Sequence, residues 1–441
     1  MHLSPLVALI GWIAVGVYLF GRYPVRTVLL VNFFGGWAIL PGARYIPTTE
    51  IFPYWILGVC LPSNYFFTKA MVTGLTGLVG IVLFHFVDLK TFRPSWCDIP
   101  MVTWCCAPLL SALTHWSTLH NGLLDSAYLA LCWGVPWLAG RIYFSDHDSL
   151  LLAAKACIIS AIFYVPICLV EICAGPQLYT FLYGYEPYRW IGAERYVGFR
   201  PIGLLEDGNQ LGIWMAAASL VAVCLTVRRL ATRILGLPMI WIAVGLALTT
   251  LLCQSAGSIL LLALLLPVAL MKRRFVQRAL VAALIFGIAS FALFRMTHLV
   301  SLRSLAQENR TVHSISAALT SIGRQSLGWR LAREESEMTV ALQKPLLGYG
   351  RWNWFQEGDQ RPWGLWLLVL GMYGLVGLTA FGLILFLPLL RAVWSSASGR
   401  GSDDIRLRQA LIGVILMVAF DNLLNGAMIL PYLLLMGGLI A

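Results

Sequence analysis

Charge is almost absent from long stretches of this chain. Segments near 4–21, 26–42, 67–87, 97–114, 121–140, 150–173, 208–227, 234–252, 255–271, 277–297, 363–390, 407–422 and 424–441 are runs of mostly apolar residues. About 20 such residues cross the hydrocarbon core of a bilayer as a helix. In lipid every backbone N–H and C=O must be bonded within the protein, which leaves helices or closed barrels. The alternation of a membrane barrel is missing. The reading is therefore an all-α polytopic membrane protein with about 12 transmembrane helices, a single integral domain over 1–441. No internal repeat of the kind found in many transporters is evident. Only 12% of the 441 residues are charged and 59% are hydrophobic. Soluble domains carry about 25% charged residues, so a soluble enzyme, a disordered chain and a collagen-like fibre are excluded.

The net charge of +11 is first of all an orientation signal. Short loops after the odd-numbered runs hold Arg22 and Arg26, Lys90 and Arg93, Arg141, Arg228, Arg229 and Arg233, Lys272 to Arg274 with Arg278, and Arg391 to Arg408. Short loops after the even-numbered runs hold little beyond Arg44. Basic short loops face the cytoplasm, so two long polar loops, roughly 174–207 and 298–362, fall on the other face. Lys155 and Glu171 lie near opposite ends of one run and are placed to snorkel. The ten cysteines show no CxxC pair and no zinc-ligand spacing; seven of them sit in or beside apolar runs, as small hydrophobes. No cleavable signal pattern opens the chain.

The first long loop interleaves Tyr179, Phe181, Tyr183, Tyr185, Tyr188, Trp190, Tyr196 and Phe199 with Arg189, Arg195 and Arg200. Aromatic faces suit sugars and guanidinium groups suit phosphates; the same pattern also serves as an interfacial aromatic belt with basic anchors. Glu206, Asp207 and Asn209 follow at the mouth of the next span, where carboxylates are costly unless partnered or functional. Asp207 reads equally as an N-cap for a helix starting at Gly208. The second long loop reads as an amphipathic helix near 328–344 lying on the membrane, with Arg330–Glu334 and Arg333–Glu337 as i,i+4 pairs and Glu335 and Glu337 as solvated charges. Pro345 stops that helix, and Gly348 and Gly350 make a turn.

Three stretches carry a resemblance to a known family. They are Arg200-x-x-Gly203 leading to Asn209; Arg330 followed by a helix and Pro345-x-x-Gly348-x-Gly350; and the span entrance ending in Gly374-x-x-Gly377. Together they resemble the O-antigen ligase and polysaccharide polymerase superfamily of bacterial inner-membrane proteins, clearest from about Arg195 to Gly377. Trp363-Gly364 stands where many members carry His-Asn, and Ser255-Ala256 where many carry Ser-Arg.

The resemblance implies a glycosyltransferase of the bacterial cytoplasmic membrane, active on the periplasmic or extracellular face. It would transfer a glycan from an undecaprenyl-pyrophosphate carrier to a sugar acceptor, as a polysaccharide polymerase or an O-antigen-ligase-like enzyme, with membrane lipids and other polysaccharide-assembly proteins as partners. No metal or other cofactor and no nucleic acid enters this reading. A pyrophosphate leaving group needs fixed positive charge, and arginine is permanently charged and bidentate. Arg200 and Arg330 are assigned to the pyrophosphate, Arg324, Arg351 and Arg361 are secondary candidates, and Asn209 orients a phosphate or sugar. A base for the acceptor hydroxyl would be Glu206, Asp207 or His313. The alternatives are a flippase-like transporter of lipid-linked glycan and a non-catalytic component of a polysaccharide export complex. A transporter should carry charge at mid-membrane, and the centres of these runs are almost free of it.

Overall fold

The structure, a computed structural model, describes residues 2–42, 57–60, 67–114, 119–184, 194–297, 326–355, 362–394, 401–426 and 428–441, with the side chains of 326–333 excepted. It is helical: the sheet among the described residues is one two-residue hairpin, β1 (Arg233–Ile234) and β2 (Leu237–Pro238). The helices are α1 (Pro5–Phe20), α2 (Val25–Ile39), α3 (Lys69–Phe84), α4 (Phe86–Thr91), α5 (Ile99–Ala112), α6 (Leu119–Leu129) and α7 (Val135–Tyr143). Then come α8 (His147–Ala174), α9 (Leu178–Tyr183), α10 (Gly208–Val227), α11 (Met239–Leu252), α12 (Ala256–Leu270) and α13 (Arg274–Met296). The last four are α14 (Ser326–Ala341), α15 (Leu365–Trp394), α16 (Ser402–Leu424) and α17 (Tyr432–Ile440).

Five of these, α8, α10, α13, α15 and α16, are long and apolar enough to cross a membrane. Five more, α1, α2, α3, α11 and α12, are equally apolar but shorter. The chain is a helical, multi-pass membrane protein. Its outward faces carry Val7, Phe163, Val170, Leu260 and Phe286, all exposed, as lipid rather than water requires. Helix α10 is the hub, buried over 83% of its apolar stretch, and Trp214 on it stacks on Tyr432 of α17 with ring centroids 5.9 Å apart. In the final apolar run α17 starts only at Tyr432, so it has nine residues, about 13 Å of helix. It packs on α7 backbone to backbone: a Cβ on Gly437 would lie 2.3 Å from the Trp137 carbonyl oxygen. Small residues at such seams let membrane helices approach closely.

The arginines of the short loops gather at one end of the bundle. Arg141 grips Asp98 with Nε at 3.0 Å and Nη2 at 3.2 Å, while Trp137 donates to the same carboxylate. Arg26 pairs with Asp146 at 2.7 Å. Arg408 meets Asp404 at 3.0 Å and the Ser145 carbonyl at 3.0 Å. Arg228 joins α10 to Gln409 on α16 and to the Ala269 carbonyl of α12. Arg228 thereby also closes the end of α12, because cations satisfy C-terminal carbonyls.

Helix α15 is broken at Gly374, whose φ of 62° and ψ of −160° are non-helical. A break at membrane depth is tolerated only where its freed backbone groups are bonded inside the protein. The segment after α14 does this. The Leu375 and Val376 amides donate to the Pro345 and Leu346 carbonyls at 2.7 and 3.2 Å, and the Tyr349 and Gly350 amides donate to the Gly371 and Met372 carbonyls at 2.9 Å each. The Pro345-x-x-Gly348-x-Gly350 stretch is thus a strap laid along the broken helix. A Cβ on Gly348 would sit 2.4 Å from the Met372 oxygen.

Candidate functional site

At the end away from the arginine cluster, four elements converge. They are the C-terminal turn of α2, the first residue of α3, the last turns of α8, and the segment 200–207 leading into α10. The segment is pinned from below. Glu171 of α8, only 2% exposed, accepts the amides of Ile202 and Gly203 on one oxygen, at 2.8 Å each. Glu171 therefore does not snorkel: two inward amides hold its carboxylate better than a distant interface. Gly203 has φ +62°, and a Cβ there would lie 2.5 Å from the Tyr164 ring, so both conformation and space call for glycine.

The segment then starts α10. Asp207 is extended and its Oδ1 accepts the Asn209 amide at 2.9 Å, so it is an N-cap as well as a site residue. Asn209 in turn accepts from Arg200 Nη2 at 2.7 Å. The Arg200 side chain lies flat on Gly208, where a Cβ would fall 2.6 Å from Nε. That Nε is shielded from solvent and has no hydrogen-bond partner among the described residues. The half-buried guanidinium thus spends one donor on Asn209 and stands beside the N-terminus of a 20-residue helix. Amides and dipole there favour an anion.

Glu206 turns the opposite way, into the protein. Its Oε1 lies 2.5 Å from Nζ of Lys69, with the two side chains 3% and 0% exposed. Lys69 sits 4.5 Å from the Trp37 ring centroid and 3.5 Å from the Trp37 carbonyl oxygen. It thereby caps α2 and pairs with Glu206 at once. The neighbouring carbonyls of α2 are met by tyrosines: Tyr164 donates to Ala38 at 2.6 Å and Tyr183 to Ile39 at 3.4 Å.

Four of the expected site residues, Arg200, Glu206, Asp207 and Asn209, are therefore together. Arg351 belongs elsewhere, to the end of the strap, with its guanidinium 5.9 Å from the Tyr349 ring centroid. Arg330 lies in the helical backbone of α14, its side chain outside the described residues, and Arg324, Arg361 and His313 lie wholly outside them. Sequence reasoning missed Lys69. Its signal was a lone lysine opening an apolar run, but nothing in the sequence links it to Glu206.

Helix α14 also differs from expectation. It ends at Ala341, and Glu334 and Glu337 are 1% and 0% exposed rather than solvated. Glu334 accepts the Gly364 amide at 2.9 Å and lies 3.8 Å from Arg295 of α13. Met338 and Ala341 pack into the core. The helix is docked on α13 and α15, where the Glu334 carboxylate finds its donors. Among the described residues no group of three or more His, Cys, Asp or Glu is placed to hold a metal ion. Comparison with protein-family models, curated proteins and solved structures finds no match for this chain.

Proposed function

We propose that the chain is a bacterial inner-membrane glycosyltransferase of about 12 spans. In this reading it transfers a glycan from an undecaprenyl-pyrophosphate carrier to a sugar acceptor, on the face opposite the arginine cluster. The observation that carries the proposal is Arg200: a held guanidinium with spare donors, at the start of α10, beside a carboxylate. The acceptor oxygen attacks the anomeric carbon, the bond from that carbon to the pyrophosphate breaks, and its electron pair goes to the pyrophosphate oxygen facing Arg200. The acceptor's proton passes to Asp207, which is partly exposed, whereas Glu206 is closed off by Lys69. Arg330 supplies the second positive charge.

Arg200→Ala and Arg330→Ala should each cut glycan transfer by about 10²–10³ while leaving the protein inserted. Full polymer or ligated product from both variants in cells would sink the assignment. One observation favours a second reading. The buried Lys69–Glu206 pair is the kind of intramembrane charge found in transporters. Reconstituted vesicles with labelled lipid-linked glycan separate the two, since a transporter moves the label across without forming new glycosidic bonds.

A further inference from the structure

At the arginine-rich end, the first turns of α13 and α16 and the last turn of α15 enclose a small depression of about 20 Å³. Its cations differ in how they are used. Arg408, 4% exposed, is committed to Asp404 and to the Ser145 and Leu439 carbonyls. Among the described residues Arg278 gives only Nε, to the Val393 carbonyl at 3.1 Å. Arg274, one helical turn earlier on α13, is exposed and lines the same depression. Like charges at i,i+4 repel, and no carboxylate lines the pocket among the described residues. The carboxylates nearest in sequence to its α16 wall, Asp403 and Asp404, are taken by Arg406 and Arg408.

We propose that Arg274 and Arg278 bind the phosphate headgroup of an anionic phospholipid, with one acyl chain lying along α13. The size of the pocket selects the ligand: about 20 Å³ admits roughly one water-sized group. It takes a phosphate oxygen and excludes a nucleotide or sugar. The setting is interfacial, since Phe275 beside Arg274 is 81% exposed and Trp394 on the last turn of α15 is 46% exposed. Aromatic side chains of this kind mark the membrane–water boundary. Helix α13 leaves room for a chain, with 17% of its apolar stretch buried against 83% for α16. The same three helices enclose a second, apolar cavity of about 340 Å³ that begins on α13 at Ile288. That is about 15 Å along the helix from Arg278, which matches half of a hydrocarbon core of about 30 Å. Headgroup pocket and apolar cavity are thus one leaflet apart on one seam. The inference needs only the membrane setting and holds whether or not the chain is a glycosyltransferase.

The test is the unfolding midpoint of the full-length protein in neutral detergent, titrated with phosphatidylglycerol, phosphatidylcholine or glycerol 3-phosphate. Phosphatidylglycerol should raise the midpoint saturably, as a ligand of the folded state does, and phosphatidylcholine should not. The double variant Arg274→Gln/Arg278→Gln should need roughly ten- to thirtyfold more phosphatidylglycerol for the same rise. A Lys90→Gln/Arg93→Gln control, on another basic loop, should behave as wild type. If the glutamine pair fails to fold, Arg274→Lys/Arg278→Lys should fold and show a weaker response than wild type. An unchanged response in the double variant overturns the proposal. So does glycerol 3-phosphate acting as well as the lipid, which would make this a site for soluble phosphate.

Discussion

Nζ of Lys69 lies 2.5 Å from Oε1 of Glu206, and neither side chain is more than 3% exposed. The two residues are far apart in the chain, and their contact ties the start of α3 to the segment that opens α10. Burying two charges costs several kcal/mol per ion, which their attraction and added hydrogen bonds must offset. Here the Trp37 ring and carbonyl supply part of that offset.

Breaking this pair on one side should destabilise the fold by about 3–5 kcal/mol, because an uncompensated charge stays buried. Lys69→Met and Glu206→Gln should each lower the unfolding midpoint strongly, and the double variant should recover most of the loss. A double-mutant cycle on the purified protein checks this; additive losses would show that the two side chains are energetically independent.

The Arg200 anchor makes a separate prediction. Gly208→Ala places a methyl 2.6 Å from Arg200 Nε and should displace the guanidinium while leaving α10 formed. Asn209→Ala removes the side-chain acceptor that holds Nη2. Both should lower glycan transfer by about tenfold or more, since small misplacements of a positioning group cost that much. Their unfolding midpoints should stay near wild type. Wild-type transfer by both would separate Arg200 from the chemistry.

The break in α15 should tolerate no side chain. Gly374→Ala would force φ +62° on an L-residue and put its Cβ 2.3 Å from the Leu346 carbonyl carbon. Strained backbone alone costs about 1–3 kcal/mol, and displacing the strap exposes the Leu375 and Val376 amides as well. The expected result is faster proteolysis between 342 and 363 together with a lower midpoint, read on membrane preparations.

Asp146, at the arginine-rich end, gives a pH dependence. Partial burial pushes its carboxyl up, but the Ser149 amide and hydroxyl and the Arg26 guanidinium outweigh that and hold it below its ordinary value of 3.8. A depressed carboxylate contributes stability above its unfolded pKa and loses it as pH falls through the folded one. Asp146→Asn should therefore be less stable than wild type at neutral pH, and the gap should close on acidification below about pH 3.8. A gap that persists in acid would assign the effect to the helix cap alone.

Much of the architecture was readable from residues alone, because hydropathy and charge are local properties. The apolar runs marked helices, and the arginines of short loops marked one end of the bundle. Asp207 read as a cap from its place before Gly208. The turn at Pro345, Gly348 and Gly350 was visible as a turn. Its use was not, since laying it along a broken helix depends on Gly374, many residues later, and on backbone groups that every residue carries.

The candidate site divides in the same way. Composition and spacing determined that the chain is helical and membrane-embedded, and they drew Arg200, Glu206, Asp207 and Asn209 together as one stretch. Folding decided their roles, since Arg200 and Asn209 face one way while Glu206 turns inward to Lys69. It also buried Glu171, Glu334 and Glu337, which the sequence left at the interface or in solvent. The physical reason is that a carboxylate's fate in a membrane protein depends on where its donors are. Those donors, the amides of Ile202, Gly203 and Gly364 and the amine of Lys69, come from segments that only packing brings within hydrogen-bond reach.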